Sequence, residues 1–208
     1  WHPLAEYAGF LAVQAGATRA ARRAEAALAR LSGRPTFLLP LQLSTDYQVR
    51  AHGPAPDYRD TVRRVVESVA AAAAEAARLL LKIHPQDNGW IGWRRLARRA
   101  AGAARGRVEV IRGGDLSAIL AAAAGVVTVN STVGITALAA GAPVKALGAA
   151  IYDRAGLTDP APLAAFWRDP VAPDPARVET FLRALTWATQ VRGAFDGPGA
   201  APGAENVA

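Results

Sequence analysis

Val126-Val127-Thr128-Val129-Asn130-Ser131-Thr132-Val133-Gly134-Ile135-Thr136-Ala137-Leu138-Ala139-Ala140 sets a short β-branched run directly against a helix pattern, with three small polar residues at the joint. A strand that stops at hydroxyl residues and turns into a helix aims free backbone N–H groups, and the positive end of the helix dipole, beyond the sheet. The guest such a joint invites is an anion. Asn, Ser and Thr are also favoured as helix caps whatever the function, so capping and ligand binding are both open at Ser131 and Thr132. The stretch continues to Thr158 through Pro143-Val144-Lys145 and Gly148-Ala149-Ala150-Ile151-Tyr152-Asp153.

Working outward, apolar runs alternate with helical patterns. Toward the N-terminus, Leu4 to Leu31 reads as helix broken by Gly9 and Gly16, and Ser32-Gly33-Arg34-Pro35 ends it. Thr36 to Leu43 is a strand, Ser44 to Pro56 a polar stretch, Asp57 to Leu79 a long helix and Leu80 to Ile83 a second strand. After the His84 to Trp90 loop come an Arg-rich helix, a strand at Arg107 to Ile111, a turn at Gly113-Gly114 and a short helix capped by Asp115. Val126 to Val129, the helix Thr132 to Ala140 and the strand Val144 to Leu147 complete the series. Strands separated by helices predict right-handed βαβ units, hence an α/β, doubly wound, mostly parallel and Rossmann-like sheet. The expected division is a helical connector over residues 1–33, the α/β domain over 34–193, with an amphipathic helix Arg177 to Arg192 near its end, and a disordered Gly/Ala/Pro tail over 194–208.

Composition narrows the classes. Half of the 208 residues are apolar and a fifth charged, the balance of a globular chain rather than a disordered one. The net charge of +7 comes almost wholly from arginine, since Lys82 and Lys145 are the only lysines, and with the alanine runs this reflects GC-rich codon usage. Position still carries information: Arg94, Arg95, Arg98 and Arg99 form one basic helix face, either solvated or suited to anionic lipid or a polyanionic glycan. No nucleic-acid partner is expected. Cysteine is absent, and His2, His52 and His84 lack ligand spacing, so no metal is expected. The uncharged run Leu116 to Val144 is long enough to span a bilayer, but its polar centre and glycines make it a buried αβαβ segment. The chain contains no methionine, from which we expect its natural start to lie upstream.

In a doubly wound sheet, ligands bind beyond the carboxyl ends of the strands. That rule selects Gln42 and Asp46 after the first strand, His84 after the second, Arg112 and Asp115 after the third, Ser131 and Thr132 after the fourth, and Tyr152 and Asp153 after the fifth. Pro85 holds His84 extended at its strand exit, where the imidazole can stabilise a departing phosphate or cap a neighbouring carbonyl. Asp46 can act as nucleophile or base toward an anomeric carbon, or serve an Asx turn or helix cap. Tyr152 and Asp153 either touch base and ribose or pin the loop from Gly148 to Pro162.

Taken in order, Pro40-Leu41-Gln42 with Asp46, Gln48 and His52, Lys82-Ile83-His84-Pro85, Val127 to Gly134, Pro143-Val144-Lys145, Gly148 to Asp153, Gly156-Leu157-Thr158, Phe166-Trp167, and Thr189-Gln190 with Gly193 and Phe195 resemble the capsule polysaccharide biosynthesis and export family, which includes bacterial β-Kdo transferases. The resemblance implies the C-terminal, nucleotide-sugar-binding half of a two-domain GT-B glycosyltransferase. It further implies CMP-Kdo as donor with no other cofactor, and a lipid-linked glycan acceptor. The reaction would retain anomeric configuration at the cytoplasmic face of the inner membrane, with membrane surface and capsule export complex as further partners. On the same ground His84, Ser131 and Thr132 would hold the CMP phosphate and Asp46 would be the catalytic carboxylate. Gln42, Gln48, Lys82, Asn130, Gly134, Tyr152 and Asp153 would complete the substrate-binding set, and a second acid or base would come from the N-terminal half. The alternatives are another nucleotide-sugar transferase or glycerophosphotransferase of this architecture, or a binding module without turnover.

Overall fold

The computed structural model describes residues 3–189. Those residues form two units, 3–173 and 174–189, of which the first carries the sheet. Its strands are β1 (Thr36–Pro40), β2 (Arg78–Ile83), β3 (Val108–Arg112), β4 (Gly125–Thr128) and β5 (Val144–Ala146). All pairings are parallel, in the order β3-β2-β1-β4-β5. The order reverses between β1 and β4, so the switch-point crevice of this α/β fold lies between their carboxyl ends.

The helices of this unit are α1 (Pro3–Ala15), α2 (Ala17–Leu31), α3 (Tyr47–His52), α4 (Tyr58–Ala72), α5 (Trp93–Ala101), α6 (Leu116–Ala121), α7 (Val133–Ala139) and α8 (Leu163–Phe166). Period-two alternation splits the strands between two layers. Phe37, Leu39, Leu79, Leu81 and Val127 face a core built from Val62, Val65, Val66 and Val69 of α4, Trp93 and Ala97 of α5, and Phe166 of α8. On the other face, Leu38 and Leu80 line a small cavity together with Leu28 and Leu31 of α2 and Ile119 of α6. An ion pair from Arg30 to Glu109, 3.0 Å, fixes α2 over β3.

Where the boundaries differ from the sequence reading, tertiary contacts explain why. The helix expected to run from Asp57 to Leu79 ends at Ala72, because β2 begins at Arg78, whose N–H donates to Pro35 O at 2.8 Å. At the end of α4, Arg107 donates to the Val69, Ala73 and Ala74 carbonyls and Arg168 to that of Ala72. Alanine-rich sequence favours helix, but the Arg107 guanidinium and the sheet edge stop it. The polar stretch after β1, read without structure, contains α3, too short to show periodicity; β1 itself ends at Pro40 rather than Leu43. Gly16 separates α1 from α2 as expected, whereas Gly9 stays inside α1, where a Cβ would lie 2.6 Å from the Trp90 indole and 2.9 Å from the Asn88 carbonyl. Asp115 caps α6 through the Ser117 N–H at 3.0 Å. The uncharged run from Leu116 divides into α6, β4, α7 and β5, and no helix among the described residues is long and apolar enough to cross a membrane.

The second unit is α9 (Pro175–Thr189), capped by Asp174 through the Ala176 N–H at 2.9 Å. The expected tail over 194–208, and the Gln190, Gly193 and Phe195 positions, lie outside the described residues.

Candidate functional site

Gln42 leaves β1 and Asn130 leaves β4, and their side chains meet across the crevice, Gln42 Nε2 donating to Asn130 Oδ1 at 3.0 Å. Asn130 Nδ2 continues to the Gln48 carbonyl at 2.9 Å. The Gln42 N–H donates to the buried Tyr58 hydroxyl at 3.0 Å. The two central strand exits and α3 are thereby tied into one floor. Asp46 begins that helix as its N-cap, Oδ1 accepting from the Gln48 N–H at 2.9 Å, and its Oδ2 has no hydrogen-bond partner among the described residues. The cap reading of Asp46 is thus realised, with one carboxylate oxygen left over.

The seat at α7 is narrower than the sequence implies. Its first N–H groups are not all free: Ser131 N–H donates to Thr128 Oγ1 at 3.1 Å, Val133 N–H to Ser131 Oγ at 3.2 Å, and Gly134 N–H to Ser131 O at 2.9 Å. Small polar side chains satisfy the helix end from within, as they do at many N-termini. What remains for a ligand is the N–H of Thr132, which has no acceptor among the described residues, and the hydroxyl protons of Ser131 and Thr132.

Tyr152 is 1 % exposed and donates to Ser131 O at 2.8 Å. Burial pushes its phenol up to about 12, so it stays a donor throughout the physiological range. Gly134 is the position on α7 where the Tyr152 ring lies; a Cβ there would overlap it. Asp153 accepts from Thr158 Oγ1 at 2.6 Å. These contacts realise the loop-pinning alternative for Tyr152 and Asp153, and they give Gly134 a packing role beneath the seat. The same loop is closed from the other side, Ala149 N–H donating to the His52 carbonyl at 3.0 Å, and a side chain at Gly148 would strike that carbonyl.

His84 stands one strand beyond β1, at the exit of β2. Its Nδ1 accepts from the Gln86 N–H at 3.1 Å, which places the proton of the neutral ring on Nε2 and leaves that N–H as a donor. The turn that carries it is locked by Arg112, which the strand-exit rule selected, and by Asp87, which no motif pointed to. Arg112 donates to the His84 carbonyl at 3.3 Å, to the Asp87 carbonyl at 3.0 Å and to Asp87 Oδ1 at 2.9 Å. Asp87 Oδ2 accepts from the Trp93 indole at 2.9 Å, and Trp93 is buried in the core. Trp93 therefore packs locally, whereas Trp90 is half exposed. Among the described residues no hydrogen bond joins His84 to Asp46, Ser131 or Thr132. The exits of β2 and β4 flank β1, and at the usual strand spacing they stand about 10 Å apart, a gap a phosphate-bearing ligand can bridge.

Tyr58 and Asp87 carry no motif signal, because Gln42 and Arg112, their partners, are distant in sequence; Thr128 lies inside a quoted motif, but its bond to the Ser131 N–H appears only when the chain turns. Only the strand-exit rule pointed near them, through Arg112. Asp159 belongs with them: it is buried, and its carboxylate accepts from Ala161 N–H at 2.7 Å and Val171 N–H at 2.9 Å.

Lys82 shares its sheet face with Leu80 and lies in register with Pro40 and Ile111. It has no carboxylate partner among the described residues, and desolvation holds its ammonium below the ordinary 10.5. The folded state therefore releases its proton first, and between the lowered value and 10.5 the unfolded chain holds more protons, so stability rises with pH across that window. Lys82→Met should be more stable than the natural chain at pH 7, with the gap narrowing as pH enters the window. Urea unfolding of the two chains between pH 7 and pH 10 measures this, and a constant gap would contradict it.

An all-parallel sheet of this order, with polar side chains gathered where it reverses, defines a Rossmann-like α/β domain with its ligand crevice between β1 and β4. The chain belongs to the capsule polysaccharide biosynthesis protein family, whose model matches residues 1–196. It is 36% identical over 162 residues to the capsule polysaccharide modification protein LipB of Neisseria meningitidis serogroup A, covering 76% of this chain and 39% of that protein. It is 34% identical over 162 residues to the capsule polysaccharide export protein KpsS of Escherichia coli, covering 76% and 41%. The chain thus spans about two fifths of the length of these curated relatives. Among solved structures, Thermosulfurimonas dismutans KpsC, a beta Kdo 2,7 transferase, superposes with a TM-score of 0.47 at 21% identity, covering 68% of this chain and 46% of that one. The Neisseria meningitidis UDP-GlcNAc 2-epimerase gives 0.42 at 10% identity, covering 88% and 44%. The sheet order carries the fold without them.

Proposed function

We propose that this chain is the donor-binding part of a glycosyltransferase of capsule assembly, transferring Kdo from CMP-Kdo to a lipid-linked acceptor with retention of configuration. The observation that carries the reading is the set of uncommitted donors at neighbouring strand exits: His84 Nε2–H beside β1 on one side, Thr132 N–H and the Ser131 and Thr132 hydroxyls on the other. Family membership in capsule biosynthesis and the switch-point crevice support it. A nucleotide phosphate bridging these donors leaves as CMP when the sugar bond breaks, and preorganised donors stabilise the charge that develops on it. Lys82, without a carboxylate partner among the described residues, supplies a cation toward the phosphate. Asp46, with its second oxygen open, is the carboxylate assigned to attack the anomeric carbon. The acid or base that activates the acceptor is assigned to a part of the protein beyond this chain. The reaction is placed at the cytoplasmic face of the inner membrane, in contact with the export machinery.

The test is calorimetric binding of CMP by the natural chain and by His84→Ala. Losing a hydrogen bond to a charged phosphate is worth about 1.5–3 kcal/mol, so the dissociation constant should rise roughly 10- to 100-fold. Unchanged affinity would remove His84 from the phosphate site.

A further inference from the structure

A cleft of 930 Å³ opens between α4 and α5 and reaches α3, on the far side of Tyr58 from Gln42; five arginines line it, against Asp57 and Glu67. Arg59 and Arg63 are neutralised there by Asp57, at 2.6 Å, and by Asp60. Arg50, Arg95 and Arg99 have no carboxylate partner among the described residues, although all three are exposed and line the cleft. Arg95 and Arg99 stand one turn apart on α5, so their guanidinium groups project side by side. Trp90, 50 % exposed, lines the same cleft. A second cleft of 610 Å³ shares Ser44, Arg50, Trp90 and Ile91 with the first and adds Tyr7 and Phe10.

We propose that this trough binds an acidic glycan several sugar units long. Planar guanidinium forks match carboxylates two bonds at a time, and the indole and phenol rings offer flat apolar faces against which sugar C–H groups pack. Concavity selects a glycan chain over a membrane, since a lipid surface is flat and would leave the floor of the trough, Ser44 and Tyr58 among it, untouched. The volume lies near the upper end of clefts that enclose small organic ligands, about 300–1,000 Å³, which leaves room for more than one ring. The proposal holds whichever nucleotide the β1–β4 crevice takes.

Titration of the full chain with hexagalacturonate, followed by calorimetry and by tryptophan emission, tests it. Binding should weaken with salt, and maltohexaose, of the same length without carboxylates, should bind at least tenfold more weakly. Arg95→Ala with Arg99→Ala should weaken hexagalacturonate roughly tenfold. Arg50→Ala, on a different element, should weaken it about threefold and keeps the test open if the double variant fails to fold. Arg19→Ala with Arg22→Ala, on the exposed surface of α2, lowers the net charge equally and should change binding less than twofold. Equal binding of the two hexamers, or an equal loss in the α2 variant, would overturn the proposal. So would phosphatidylglycerol vesicles that bind through Arg95 and Arg99 while hexagalacturonate does not, which would make the surface a lipid contact.

Discussion

Under the proposed function, Asp46→Asn is expected to lower Kdo transfer from CMP-Kdo by roughly 10²–10⁴-fold while folding and CMP binding stay unchanged. The separation is clean because of where Asp46 sits. Its Oδ1 caps α3 through the Gln48 N–H, and asparagine caps a helix as well as aspartate does. Asparagine therefore preserves the cap and the floor that Asn130 and Gln48 build, and removes only the charge. An amide cannot form the glycosyl-enzyme bond or serve as base, so the loss falls on turnover. Asp46→Ala would mix two effects, since losing the cap costs about 1 kcal/mol. The assay is turnover of CMP-Kdo by the whole protein beside calorimetry with CMP. Normal turnover in the asparagine variant would reduce Asp46 to a helix cap.

Asp87→Ala is expected to be the most damaging single change to stability, about 3–5 kcal/mol. Its carboxylate pairs with Arg112 at 2.9 Å, with side chains only 8% and 17% exposed, and it also takes the Trp93 indole proton and the Gly89 N–H at 2.9 Å each. Alanine leaves a guanidinium without its counter-charge and an indole N–H in the core without an acceptor. Against a typical domain stability of about 5–15 kcal/mol, that loss brings the chain close to unfolding. Urea denaturation should show a lower midpoint with the slope unchanged. Arg112→Met in the same chain should recover part of the loss, because the orphaned charge goes with it. A cost under about 1 kcal/mol would show that the network only orients the His84 turn.

The alternation of strand and helix was legible in the sequence because each strand core is a short β-branched or leucine run bounded by turn residues, as at Val126 and Leu80. The Ala70 to Ala77 region misled because propensity favours helix there, and only Arg107 and the β1 edge, distant in sequence, decide otherwise. At the site, strand-exit positions could be read from order alone, which found Gln42, His84, Ser131 and Thr132. The Ser131 cap on the Val133 N–H was one of the readings left open, but the occupied Ser131 N–H could not be foreseen, since Thr128 Oγ1 meets it only once the strand has turned. Nor could the roles of Gly134 and Gly148, which exist because Tyr152 and the His52 carbonyl arrive from other segments. The His84 tautomer likewise depends on a turn geometry that Pro85 merely permits.

A crevice between β1 and β4 built for a CMP-sugar must tell nucleotides apart. Calorimetry of the chain with CMP, UDP and CDP-glycerol under one buffer and salt tests it most directly. CMP should bind at least tenfold more tightly than UDP or CDP-glycerol, and His84→Ala, which removes a phosphate donor, should weaken CMP roughly 10- to 100-fold. Tighter binding of UDP, or of CDP-glycerol, would contradict it.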